Sequence, residues 1–356
     1  MMAQIPLFLR PGSSDVCVIG LGAGFTVDSV LAHNVKSVDV AEISGSVIRA
    51  AECFRLANND VLRNPRLALH HEDGRNFLLL GRKKYDIIIS EPSNVWISGI
   101  ANLYSSEFLD IALARLKPGG LYCFWIHSYS MRQEDYSSVI KTMMSRFPHV
   151  QLWSMTFGDY LVVGSESPIV VDPETISGLC GEPKVMRMLN RIGIDDPRQI
   201  AYYYVADGNQ LKPVIRNQRL LIDDVPYLEF SAPRYLLQND AQQIVEAILR
   251  VDGFPCFSGD QSSALNSGFR ERIGAGRDSR NYLHESVVAA NKGNGMKVLE
   301  SFLAAARCAP DDRRVLSVIQ RFYNEKKGNV DRVTEIYMQK FYAQISEVAP
   351  RIKESR

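Results

Sequence analysis

Short continuous apolar runs alternate with amphipathic stretches through the first half of the chain. Val16 to Ile19 is the first such run, and a strand covered on both faces reads this way rather than as strict alternation. Thr26 to His33 follows, with Val27, Val30 and Leu31 on one helical face. The alternation continues with a strand over Val35 to Glu42, a helix from about Ser46 to Asn58, a strand near Leu67 to His71, a short helix after Gly74 and a fourth strand from Tyr85 to Glu91. Ser105 to Leu116 is amphipathic, Lys117-Pro118-Gly119-Gly120 stops it, and Leu121 to Ile126 is a fifth strand. Met131 to Phe147 reads as a helix. Then the pattern changes: Val150 to Thr156 and Tyr160 to Gly164 are β-rich runs separated by Phe157-Gly158-Asp159, which predicts a hairpin. The expectation is an α/β domain over 1–165 whose five parallel strands are closed by an antiparallel hairpin, a seven-stranded sheet in all.

Between the first strand and the first helix stand Gly20, Gly22 and Gly24. Glycines here let the backbone turn sharply and approach a ligand, and the helix that follows points its free N–H groups back over the loop. The dinucleotide fingerprint would place its third glycine at residue 25, which is Phe25, and a phosphate loop would need a lysine that Gly24-Phe25-Thr26 does not supply. The Gly-x-Gly-x-Gly spacing instead resembles the first motif of the S-adenosylmethionine-binding fold, whose ligand carries a sulfonium and no phosphate.

Composition narrows the class without naming it. The chain has 356 residues, 46% hydrophobic and 23% charged, with net charge +1, so it affords a sizeable core and offers no basic surface for nucleic acid. Six scattered cysteines without a C-x-x-C predict reduced thiols and a cytoplasmic setting. MMAQIPLFLRPG has no basic region ahead of its apolar patch, and no run reaches transmembrane length, so neither a leader nor a membrane span is expected. His70-His71 has no acidic or cysteine partner at ligand spacing, and no metal is expected.

An open α/β sheet binds ligands beyond the carboxyl ends of its strands, where three acidic residues fall. Glu42 ends the second strand 22 residues after Gly20, the distance at which a carboxylate accepts both ribose hydroxyls. Asp73-Gly74 follows the third strand; Asp73 either accepts from an adenine amino group or serves as an ordinary helix N-cap. The fourth strand runs into Ser90-Glu91-Pro92-Ser93-Asn94, where proline keeps a carboxylate-bearing loop out of a helix. Trp96 and Tyr104 flank this loop and either wall the site or pack it. Trp125 and His127 end the fifth strand, with His127 read as a hydrogen-bonded structural histidine ahead of a proton-transfer group.

YDIIISEPSN, followed by ANLYSSEFLDIALARLKPGG, resembles the polyamine aminopropyltransferases, the spermidine synthase family, and especially their bacterial branch often attached to membrane helices. The resemblance covers roughly Asp15 to Ser165, with a further piece, Asp223 to Phe230, similar to a segment that follows the domain in that branch. It implies a class I methyltransferase-like, Rossmann-like fold and transfer of an aminopropyl group from decarboxylated S-adenosylmethionine to a polyamine amine. On that resemblance Gly20, Gly22 and Gly24 approach the nucleoside, Glu42 holds the ribose, Asp73 with Gly74 meets the adenine, Glu91 is the catalytic carboxylate and Asn94 stands where a second carboxylate would meet the amine; Trp96 and Tyr104, from their place beside the loop, are the further candidates for the amine site. Two departures bear on substrates. Where the family usually reads Asp-Ser-Ser-Asp, this chain reads Glu91-Pro92-Ser93-Asn94, and where the family's loop carries an Asp, Ala23 stands. Ala23 leaves ordinary S-adenosylmethionine open as the donor, so a methyltransferase is the alternative. About fourteen residues precede the first strand, so the family's N-terminal β domain is not expected within this sequence, which reads as a divergent relative or a fragment of a longer chain; a silent nucleoside-binding scaffold is the third reading.

Residues 166–251 read as a mixed extension and 252–280, rich in Gly, Ser and polar residues, as a loop or linker. From 281 to 356 the chain reads as helical hairpins. Lys292-Gly293-Asn294 recurs 35 residues on as Lys327-Gly328-Asn329, a period resembling tetratricopeptide repeats. Two copies are too few to stand alone, so this tail would pack on the catalytic domain, a second copy or a protein partner.

Overall fold

A computed structural model gives the structure, which describes residues 1–156, 158–215, 217–235, 246, 248, 251, 253–259, 263–327 and 332–350. The chain divides into one unit of Met1–Met188 with Val205–Gly259 and a second of Leu189–Tyr204 with Asp260–Arg356.

The first unit is built on a sheet of β1 (Asp15–Ile19), β2 (Ser37–Ala41), β3 (Leu67–His70), β4 (Tyr85–Ser90), β5 (Leu116–His127), β6 (His149–Thr156) and β7 (Asp159–Ser165). Its helices are α1 (Gln4–Leu9), α2 (Phe25–Leu31), α3 (Gly45–Ala51), α4 (Gly74–Leu80), α5 (Ser106–Ala114) and α6 (Gln133–Arg146). A two-residue β8 (Val170–Val171) pairs with β10 (Cys256–Phe257), and β9 (Tyr204–Asp207) joins the main sheet. Strand order is β3-β2-β1-β4-β5-β7-β6-β9. The first five are parallel, and β7 runs antiparallel to both β5 and β6. This is the class I methyltransferase-like arrangement, with eight strands rather than the seven expected. The eighth is β9, whose run Tyr204-Val205-Ala206 is aromatic and β-branched, and it is the neighbour of β6 in the sheet.

The apolar runs are buried because helices cover both sheet faces: all six residues of β4 are buried, and Val16, Cys17 and Val18 have no exposure. On one face Phe108 of α5, Phe124 of β5 and Phe147 close the core, with Tyr122 stacked on Phe147 at 5.8 Å.

Several boundaries move. The helix expected to reach Asn58 ends at Ala51 and is followed by a short 3-10 turn. Asn58 turns inward there, donating to the carbonyls of Ala23 and Ala51, and Asn59 and Asp60 take positive φ. β5 begins at Leu116, which pairs with Tyr85 before a register shift, so Lys117 to Gly120 belongs to an irregular strand start. The β6–β7 hairpin forms; Phe157 of its turn lies outside the described residues.

The linker expected over 252–280 is corrected by a helix spanning Ala264–Asn291. Its buried face runs Asn266, Phe269, Ile273, Gly276, Ser279, Leu283, Ser286, Ala289, a helical period carried largely by small and polar residues. Gly276 is there for close packing: a Cβ would stand 3.0 Å from the Tyr202 carbonyl oxygen in the same unit. Helices Gly295–Cys308, Arg313–Lys326 and Arg332–Val348 follow. Asn294 caps the first by accepting from the Lys297 N–H, after Gly293 at φ 71°. Gly328 and Asn329 of the second Lys-Gly-Asn lie outside the described residues. Among the described residues no helix is long and apolar enough to cross a membrane.

Candidate functional site

The carboxyl ends of the parallel strands open on a cavity of about 670 Å³. Its wall takes Gly20 and Gly22 from the loop after β1, Glu42 from the end of β2, Asp73 and Gly74 after β3, and Glu91 and Asn94 after β4. Trp125 of β5 joins them. Residues remote in sequence meet because parallel strands end side by side: the Glu91 N–H donates to the Ile19 carbonyl at 2.9 Å, and the Gly20 N–H to the Ala41 carbonyl at 2.9 Å.

The glycines divide the work. Gly20 (φ 93°) allows the ends of β1 and β4 to close, since a Cβ would stand 2.5 Å from the Glu91 carbonyl oxygen, whereas Gly22 (φ 51°) faces open space. Gly24 corrects the expectation: it caps α2 at φ 82°, faces Val61 and Asn58, and lies outside the cavity lining.

Glu42 is buried, and its carboxylate is aimed by the backbone. Oε2 accepts from the Leu21 N–H at 2.9 Å and Oε1 from the Ser44 N–H at 2.8 Å, leaving one lone pair on each oxygen for a pair of hydroxyls. Asp73 is the N-cap of α4, its Oδ1 accepting from the Asn76 N–H at 2.9 Å, and it lines the cavity as well. Gly74 packs so closely on β1 that a Cβ would fall 2.4 Å from Ile19 Cγ2.

Glu91 is exposed to the cavity yet walled by protein. Its Oε2 accepts from Thr26 Oγ1 at 2.5 Å. Desolvation raises its carboxyl above the ordinary range, and the Thr26 hydrogen bond and the nearby Met1 ammonium oppose the shift in part. Thr26 was not singled out from sequence; the available signal was a hydroxyl in the first helical turn after a glycine loop.

Trp96 and Tyr104 are corrected too: neither lines the cavity. Tyr104 is buried against Phe124 and donates its hydroxyl to the Trp125 carbonyl at 3.1 Å, so it backs the wall that Trp125 forms. Trp96 packs edge-on against His127 at 4.8 Å. His127 has no exposure; its Nδ1–H donates to the Tyr129 carbonyl at 2.8 Å, and burial lowers its pKa, which keeps the ring neutral. The Trp125 indole N–H donates to Asp159 at 3.1 Å.

Three carboxylates, Glu42, Asp73 and Glu91, thus face a cavity whose lining, among the described residues, holds no Lys, Arg or His. Such a field favours a cation and disfavours phosphate. His70 Nε2 pairs with Asp39 at 2.9 Å and His71 Nε2 with the Ile43 carbonyl at 3.2 Å. Among the described residues no three His, Cys, Asp or Glu side chains gather as a metal site.

The spermine/spermidine synthase domain family matches residues 1–165. A polyamine aminopropyltransferase of Leptospira biflexa is 27% identical over 161 residues, covering 45% of this chain and 57% of that protein. A spermidine synthase of Dictyostelium discoideum is 33% identical over 153 residues, covering 42% and 53%. The chain spans little more than half the length of these relatives. The crystal structure of spermidine synthase from Thermotoga maritima aligns at TM-score 0.42 and 25% identity over 49% of this chain and 62% of that one. The matched residues 1–165 contain every strand end and carboxylate of the cavity.

Proposed function

We propose that the chain transfers an aminopropyl group from decarboxylated S-adenosylmethionine to a primary amine of a polyamine. The observation that carries this reading is the cavity with three carboxylates and, among the described residues, no basic side chain in its lining, suited to a donor bearing a sulfonium and an ammonium and to a cationic acceptor. Glu42, its oxygens fixed by Leu21 and Ser44 N–H groups, accepts the two ribose hydroxyls. Gly22 leaves room for the nucleoside, and Asp73 offers the adenine amino group its oxygen not used in the cap.

The amine must lose a proton before it attacks, because it is protonated near neutral pH. Glu91 takes that proton. The freed nitrogen lone pair attacks the propyl carbon bonded to sulfur, the C–S bond breaks, its electron pair stays on sulfur, and neutral methylthioadenosine leaves. The raised pKa of Glu91 makes it a stronger base than an ordinary glutamate. Activity should therefore fall on acidification as the raised Glu91 pKa is crossed, at a higher pH than an ordinary glutamate would give.

Glu91→Gln keeps the size and an acceptor for Thr26 but removes the base, so turnover should fall by about two to four orders of magnitude with donor affinity nearly unchanged. Single-turnover release of methylthioadenosine with several amines measures this; equal rates from both proteins would exclude Glu91 as the base. Ala23 supports a second reading, methyl transfer from S-adenosylmethionine, because it lines the cavity without offering a carboxylate to the donor's ammonium. Tight donor binding with no release for any amine, alongside methyl transfer, would favour it.

A further inference from the structure

Beyond Glu91, the loop after β4 lines the cavity with uncharged residues, Asn94, Ile97, Ser98, Gly99, Ile100 and Leu103 among them. An acceptor with two amino groups deprotonates one to react and keeps the other as an ammonium, and a cation leaving water needs a carboxylate partner. The uncharged wall is served from outside residues 1–165. Glu229 Oε1 accepts from Ser98 Oγ at 2.6 Å, and Ser98 is itself part of the wall.

Glu229 is half-buried and its segment is tied down on both sides. On one side Asp223 forms a bidentate ion pair with Arg75, whose Nη1 also donates to the Asn102 carbonyl at 3.2 Å at the end of the same loop. The Ser106 N–H donates to the Leu221 carbonyl at 2.8 Å. On the other side Ser231 Oγ donates at 2.8 Å to Asp135, a carboxylate with no exposure, and Arg132 binds the Tyr227 hydroxyl. A carboxylate held this way loses little freedom on meeting a ligand.

We propose that Glu229 recognises the second ammonium of the acceptor and so selects diamines over monoamines; this rests on the aminopropyl-transfer reading. Glu229 takes the part for which Asn94, a neutral amide, lacks the charge.

Calorimetric titration of 1,4-diaminobutane and of butylamine into the full chain saturated with methylthioadenosine tests the proposal without requiring turnover. Wild type should bind the diamine more tightly than the monoamine. Glu229→Gln, which can still accept from Ser98, should lose about tenfold in diamine affinity, the scale of one charge-assisted hydrogen bond, with butylamine and methylthioadenosine affinities unchanged. In turnover the same variant should raise KM for the diamine and leave kcat alone. Equal diamine affinities in wild type and Glu229→Gln would overturn the proposal. So would Glu229→Gln behaving as wild type while Glu229→Ala weakens both amines alike, which would make Glu229 only an anchor for the loop. A wild type that binds methylthioadenosine but neither amine would overturn the aminopropyl-transfer reading and the inference with it.

Discussion

Glu42 shows how a single side chain is made specific by the groups behind it. Two backbone N–H donors hold its oxygens, one each, so the carboxylate cannot rotate away from the cavity and only its outward lone pairs remain for a ligand. Glu42→Ala removes those acceptors and leaves the Leu21 and Ser44 N–H groups without partners. Nucleoside affinity should drop by roughly 1.5 to 3 kcal/mol, the range for a charged hydrogen-bonding group. Glu42→Gln should fall between the two, because its NH₂ would have to face one of those N–H donors. Calorimetry with methylthioadenosine decides; an unchanged affinity in Glu42→Ala would take this residue out of the site. Glu91 has the opposite surroundings, a hydroxyl donor and a desolvating wall, which suit a base rather than a fixed acceptor.

At the scale of elements, the joint between β1 and α4 is the tightest feature under the cavity. The Cβ of Gly74→Ala would land 2.4 Å from Ile19 Cγ2, and a β-branched side chain in a buried strand has no free rotamer to yield with. The substitution should cost about 1 to 3 kcal/mol, as overpacking does, and Ile19→Ala in the same chain should recover part of it. Chemical denaturation of the single and double variants measures this coupling; strictly additive losses would show that α4 shifts instead. Elements were legible wherever burial forces continuous apolar runs, as in β1 and β4, and the three carboxylates were legible because parallel strands must end together. The helix Ala264–Asn291 was hidden because its inward face uses Gly276, Ser279 and Ser286, residues that in sequence look like a linker. Trp96 and Tyr104 were misplaced because periodicity does not say which side of a loop faces a cavity. Glu229 was out of reach because nothing local to Leu228-Glu229-Phe230 points to Ser98, more than a hundred residues away.

Across the first unit, charge is sorted between the two ends of the sheet. Glu42, Asp73 and Glu91 collect at the carboxyl ends, around the cavity, while the other end holds a network of direct ion pairs. There Asp86 accepts from the Ser14 and Asp15 N–H groups, each at 2.9 Å, from Lys117 Nζ at 2.8 Å and from Arg10 Nη2 at 3.1 Å. Lys117 also reaches Asp15 at 2.5 Å. Burial alone would raise the Asp86 carboxyl, but Lys117, the two N–H groups and Arg10 outweigh it and hold its pKa far below the usual carboxylate range. A carboxyl whose folded pKa is depressed contributes stability that is complete above its unfolded pKa, near 3.9, and is lost as pH falls from there toward the folded value. Asp86→Asn removes that contribution and leaves Lys117 and Arg10 undercompensated, so at pH 7 it should destabilise the unit by roughly 1.5 to 3 kcal/mol. The gap between variant and wild type should then narrow steadily below pH 4, because the wild type loses the same contribution by protonation. Denaturant titrations of both proteins at pH 7, 4 and 3 measure it. A gap of constant size across that range would mean that Asp86 acts through shape and neutral hydrogen bonds, and that its charge does not join α1, β1, β4 and β5 into one cooperative body.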